Sequence, residues 1–200
     1  SDPVGTRELG AALSARGLAL VDAPVSGGVP RAKDGTLAIM IGGDAADIAR
    51  VKPVLAALGN RLFEVGALGC GHAMKALNNF LAATGFAAAC EAMAVGRQFG
   101  LDPAIMIDVI NASTGRNFST ESTIKQQVLT GNFASGFSLG LLAKDVKIAA
   151  DLSGAIGIEA PLGRLVRDLW ADARDEIGGE RDHTHAVEVW ESKRMRRAAE

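Results

Sequence analysis

Two hundred residues, 48% hydrophobic and only 4% aromatic, predict one or two domains of an alanine-rich, mainly helical protein. A net charge of −2 gives no footing for nucleic acid, and no basic run suggests an anionic membrane surface. No apolar stretch of bilayer-spanning length is free of charge, and no signal peptide is expected. Cys70 and Cys90 fall on one predicted helix, roughly 30 Å apart if it is continuous, which is beyond a disulfide's reach. A reducing cytoplasm is the simplest setting. The three histidines form no metal-ligand set: His183 and His185 are two apart and diverge on a helix.

In chain order, residues 1–16 predict a helix, with Pro3 early and Gly17 past its end. Residues 18–23 read as a short strand entering Pro24, and residues 36–41, TLAIMI, as a second strand closed by Gly42 and Gly43. Asp44 caps a predicted helix of about thirteen residues that ends near Gly59, with Pro53 as a candidate kink. Residues 61–65 make a third strand. Three strands in a β-loop-β-α-β order are the tail of an α/β sheet rather than a complete one.

Beyond Gly66 the pattern is helical. One long helix is expected over residues 66–100. Asp102 and Pro103 open another that runs through Ile110. Residues 111–120 are polar and turn-rich, 123–129 a short helix, and 130–136 a loop. Helices follow over 138–152 and over 161–177, the latter closed by Gly178 and Gly179. Asp182 caps a last helix through Trp190, and the basic residues 193–197 read as a solvated end.

The long helix carries the chemistry. On a 3.6-residue period Lys75 shares a face with Gly71, Asn78, Asn79 and Ala82, and His72 lies near the edge. The rest is apolar on nearly every side, which predicts burial. A buried lysine is costly unless it is paired or has a task. A snorkelling lysine beside space-filling asparagines is an equal reading of the helix alone. Two further patterns bear on the choice. Residues 22–28 read DAPVSGG, where glycines after a strand allow close backbone approach and an anion-binding nest. Residues 69–79 read GCGHAMKALNN, a GxGxxxKxxNN pattern.

These two motifs, in this order, resemble those of the β-hydroxyacid dehydrogenases, a family that includes the 3-hydroxyisobutyrate dehydrogenases. The resemblance covers nearly the whole chain. It implies an α/β remnant, the C-terminal part of a Rossmann-type sheet, followed by an all-α domain of the 6-phosphogluconate dehydrogenase C-terminal type. The expected division is a remnant NAD(P)-binding domain at 1–66 and a helical substrate and oligomerisation domain at 67–200, with the site in the cleft between. By the same resemblance Lys75 is the catalytic lysine and Asn79 its partner. Ser26, Gly27 and Gly28 hold the substrate carboxylate, and Asn78 supports them. Lys144, in AKDVKIAADL, lies beside an NAD or NADP cofactor, with Lys147 the weaker alternative. Arg116 and Asn117 line the mouth of the site. The partners implied are a small hydroxy acid and further copies of the chain. Val29, Pro30, Arg31 and Ala32 stand where several relatives carry a glycine, which leaves the acid open.

Hydroxy-acid oxidation sends a hydride to nicotinamide and a proton to a base, and a desolvated lysine can serve as that base. Gly69, Cys70 and Gly71 mimic the start of a dinucleotide fingerprint. Met74 occupies the third glycine position, and no acidic residue follows a second strand. The fingerprint is therefore expected upstream of Ser1, and residues 1–200 alone are expected to be inactive. The rival reading is a non-catalytic helical binding or oligomerisation module.

Overall fold

The computed structural model describes residues 2–198, with 193–198 as backbone only, so the basic run at 193–197 lies outside the described side chains. The chain forms two compact units: Ser1–Asn78 with Lys147–Ala160, and Asn79–Val146 with Pro161–Glu200.

In the first unit, helix α1 (Pro3–Ser14) starts at Asp2, whose carboxylate accepts from the Val4 and Gly5 N–H groups. Residues 18–23 do not form the expected strand. Asp22 makes a single bridge to Gly42, and the paired strand is β1 (Val25–Ser26), beyond Pro24. The register explains the shift. Val25 faces Ile39 and Asp22 faces Gly42, so residues 18–21 would fall opposite 43–46. There Gly43 turns the chain and Asp44 opens a helix. A short helix, α2 (Gly28–Lys33), follows β1; the sequence reading did not place one there.

The central strand β2 (Ala38–Gly42) pairs antiparallel with β1 and parallel with β3 (Arg61–Gly66). A parallel pair needs a crossover, and α3 (Ala45–Leu55) supplies it, capped by Asp44 and with Pro53 inside. Ile39 and Ile41 are fully buried and pack with Leu37 and Ile48. The expected sheet remnant followed by helices is thus what the chain forms.

Helix α4 (Cys70–Phe99) runs through both units. Its length and composition would suffice to cross a bilayer, but 44% of its most apolar stretch is buried within the protein. It is not buried all round, as the sequence suggested: Met74, Leu77, Leu81, Val95 and Phe99 are exposed. Neither Cys70 nor Cys90 is in a disulfide.

The second unit packs the later part of α4 with α5 (Pro103–Asn111), α6 (Leu139–Ala155, whose end belongs to the first unit), α7 (Pro161–Ile177) and α8 (Ala186–Ala198). On α7, Val166, Trp170 and Ala173 recur at helical spacing and are buried. Trp170 meets Trp190 edge-on at 5.1 Å. Residues 119–128 depart from expectation. They form one π-helix (Ser119–Val128), not a turn and a short α-helix. Its start is set by Asn117, whose Oδ1 accepts from the N–H groups of Ser119 and Thr120.

Asp182 caps a 3₁₀ turn (His183–His185) that leads into α8, and also gathers the Ser135 hydroxyl and the Gly136 N–H. Burial raises its pKa, but hydrogen bonds from Thr184 and Ser135 and the His183 charge outweigh this and leave it below 3.8. Burial lowers the His183 pKa below 6.5, against the pull of the Phe137 carbonyl and Asp182. Between these two His183 values the unfolded imidazole binds a proton that the folded one does not. Its contribution is therefore expected to be present above pH 6.5 and to fall as pH drops below it. The Asp182 contribution persists above 3.8 and is lost as pH falls through its lower folded value. Melting temperatures at pH 7.5 and 5.5 check the histidine part: a drop is expected in the wild type and a smaller one in His183→Phe.

Candidate active-site residues

The candidate residues fall on three stretches. In the first unit, DAPVSGG runs antiparallel along β2: the Met40 N–H donates to the Pro24 carbonyl at 3.0 Å, and Ser26 faces Ala38. The chain then turns at Gly27 and Gly28, with φ of 134° and 64°. Only glycine adopts the first of these without strain. A Cβ on Gly27 would also sit 2.6 Å from Arg31 Cδ. Ser26 and Gly27 are half-buried and Gly28 is exposed. If this turn holds the substrate carboxylate, as the resemblance implies, Gly27→Val in the full-length protein should weaken substrate binding about ten- to a hundredfold, matching a backbone strain of ~1–3 kcal/mol. Dinucleotide affinity should stay near wild type. Unchanged substrate affinity would make these residues an ordinary turn.

Also in the first unit, α4 begins against Asp22. That side chain is buried; its Oδ1 accepts from Gly69 N–H at 2.7 Å and its Oδ2 from His72 N–H at 2.6 Å. His72 Nδ1 lies 2.9 Å from the Thr6 hydroxyl. The amides that a dinucleotide phosphate would need at this helix start are thus already taken by a carboxylate, so the Gly69 turn does not fit a pyrophosphate. Lys75, one turn further on, and Asn78 are half-buried.

In the second unit, Asn79 is buried and donates through Nδ2 to Asp145 Oδ2 at 2.6 Å. Asp145, itself buried, holds Lys144 Nζ at 3.0 Å on its other oxygen. A carboxylate engaged by an ammonium acts as acceptor, so it fixes which end of the Asn79 amide faces it. The Asn79 Oδ1 is left as the acceptor end. Lys144 is half-exposed. Lys147 instead pairs with Asp151 on the helix surface. Asn117 works as a cap and Arg116 pairs with Glu121 at 3.5 Å, so both have local structural partners.

Two acids that the motifs do not single out, Asp22 and Asp145, hold these residues in place. Each sits in a largely apolar run, where a buried carboxylate is costly unless paired. That was the available signal.

A small sheet is followed by a helical unit, and the helix that runs from one to the other carries a lysine and a buried asparagine four residues apart. Residues 69–190 match the family model described as NAD-binding of NADP-dependent 3-hydroxyisobutyrate dehydrogenase, and residues 1–66 that of the NAD binding domain of 6-phosphogluconate dehydrogenase. The chain belongs to the β-hydroxyacid dehydrogenase family. It is 37% identical over 185 residues to a 3-hydroxyisobutyrate dehydrogenase of Pseudomonas aeruginosa, covering 87% of this chain and 62% of that one. It is 32% identical over 189 residues to 2-(hydroxymethyl)glutarate dehydrogenase of Eubacterium barkeri, covering 94% and 63%. Among solved structures it superposes on Mycobacterium tuberculosis 3-hydroxyisobutyrate dehydrogenase with L-serine at a TM-score of 0.86 and 32% identity, covering 94% of this chain and 67% of that one. The chain therefore spans a little under two thirds of the curated relatives' length.

Proposed function

We propose that this chain is the substrate-handling part of an NAD(P)-dependent dehydrogenase that oxidises a small β-hydroxy acid, or reduces the matching carbonyl compound. The observation that carries this reading is the buried Asn79 four residues after Lys75, with its amide oriented by Asp145. Lys75 takes the hydroxyl proton in oxidation and returns it in reduction. Asn79 serves as its partner on the same helix, four residues on. Ser26, Gly27 and Gly28 receive the substrate carboxylate through backbone N–H groups, with Asn78 supporting them. Lys144, its ammonium steadied by Asp145, supplies a positive charge for NAD or NADP. The nicotinamide, when bound, accepts or supplies the hydride.

In this reading residues 1–66 are the C-terminal portion of the NAD(P)-binding domain and 67–200 the substrate and oligomerisation domain. Exposed Leu81, Val95 and Phe99 on α4 support self-association. A reducing, cytoplasmic setting fits two cysteines that form no disulfide. The α4 start does not serve as the pyrophosphate cradle, because it is filled by Asp22. The test is a panel of small hydroxy acids with NAD and NADP. Full-length protein should form reduced nicotinamide with at least one β-hydroxy acid, and residues 1–200 alone with none. A full-length protein inert across the panel would favour the non-catalytic helical module.

A further inference from the structure

The Asp22 carboxylate does more than fill a helix end. An α-helix leaves its first N–H groups without partners, and a side chain from the residue just before it usually serves one. Here the carboxylate comes from far earlier in the chain and serves two, the N–H groups of Gly69 and His72. Asp22 is itself anchored: its N–H donates to the Gly42 carbonyl at 3.0 Å, and its own carbonyl accepts from Gly42 N–H at 2.8 Å. Two glycines admit it. A Cβ on Gly42 would overlap Asp22 Oδ1, and one on Gly71 would sit 2.8 Å from Oδ2. A negative charge at this end of a helix is also favoured by the aligned peptide dipoles. The same carboxylate therefore ties together the strand end that leads into Ser26, Gly27 and Gly28, and the first turn of the helix that carries Lys75.

We propose that Asp22 is a positioning residue: two hydrogen bonds from one buried carboxylate set the axial and rotational placement of Lys75 relative to the Ser26–Gly28 turn. This rests on the reading of Lys75 as the proton carrier. The carboxylate touches no reacting atom; it acts through where the helix begins. His72, on the same turn, is held from its ring side by the Thr6 hydroxyl, so the first turn of α4 is fixed from two directions. A displacement on the order of 1 Å at a reacting group can cost about a hundredfold in rate.

A double-mutant cycle in the full-length protein tests this. Asp22→Asn keeps one acceptor and turns an N–H donor towards a helix amide. Asp22→Glu keeps the charge but lengthens the clamp by one methylene. Each should lower kcat about ten- to a hundredfold, with the cofactor dissociation constant unchanged. In a Lys75→Ala background the same changes should cost less than about threefold, because Asp22 acts through a side chain no longer present. Equal losses in both backgrounds would overturn the proposal, as would an Asp22→Asn enzyme within about threefold of wild type. Failure of both variants to fold would also overturn it, since Asp22 would then serve the fold rather than the lysine. Lys75→Ala alone decides the underlying reading: near-wild-type turnover in that single variant would remove the proton carrier whatever the Asp22 variants do.

Discussion

Replacing Asp145 with Ala in the full-length protein is expected to lower kcat by about ten- to a hundredfold. Asn79 is buried and loses the acceptor for its Nδ2, 2.6 Å away. A buried polar group left unsatisfied costs roughly 1–3 kcal/mol, and each ~1.4 kcal/mol in a barrier is tenfold in rate. Part of that cost should appear as stability and part as rate, because the amide loses a contact that sets its orientation. Lys144 also loses its partner at 3.0 Å, so cofactor affinity should change with it. Asp145→Asn separates the two effects. It can still accept from Asn79 through its own Oδ1, so kcat should recover in part, while the ion pair with Lys144 stays broken. Steady-state kinetics and cofactor titration on the two variants check this. An Asp145→Ala enzyme with wild-type kcat would leave the amide orientation without consequence.

Much of this was legible in the sequence, and the reasons are local. Asp44 and Asp102 stand where caps were read, and each accepts from an N–H in the first turn of its helix. TLAIMI gave β2 because an unbroken apolar run suits a strand covered on both faces. The strand assigned to residues 18–23 failed because apolarity alone does not give a register. Pairing with β2 begins at Asp22 and continues past Pro24, and the turn at Gly43 leaves nothing for the earlier residues to pair with. The π-helix at Ser119–Val128 was not legible at all, since its start depends on one side chain, Asn117, accepting two backbone donors.

For the candidate site, the resemblance of the two motifs singled out Lys75, Asn79, Ser26, Gly27, Gly28 and Lys144. They could not show that Asn79 is held by Asp145, or that the carboxylate heading DAPVSGG sits at the start of the lysine helix. Both are contacts between residues far apart in sequence. The helix pattern left a buried and a snorkelling Lys75 equally open; a helix that is apolar on paper still exposes Met74 and Leu77 on either side of it, and the lysine is half-buried.

Lys75→Ala carries the largest expected effect. Lys75 stands one helical turn before the buried Asn79 and one turn after His72, whose backbone N–H is clamped by Asp22. It is the ionisable group nearest in sequence to the oriented amide, and it is half-buried. Alanine keeps the helix, since it is the best helix former, and removes only the amine. Loss of a positioned acid–base group lowers turnover by roughly 10²–10⁴-fold. Cofactor binding should not change, because the cofactor contact is assigned to Lys144. The decisive measurement is single-turnover hydride transfer, followed by nicotinamide absorbance, in full-length wild type and Lys75→Ala saturated with both substrates. The account predicts a rate lower by about 10²–10⁴-fold with an unchanged cofactor dissociation constant. A Lys75→Ala rate within a few-fold of wild type would contradict it.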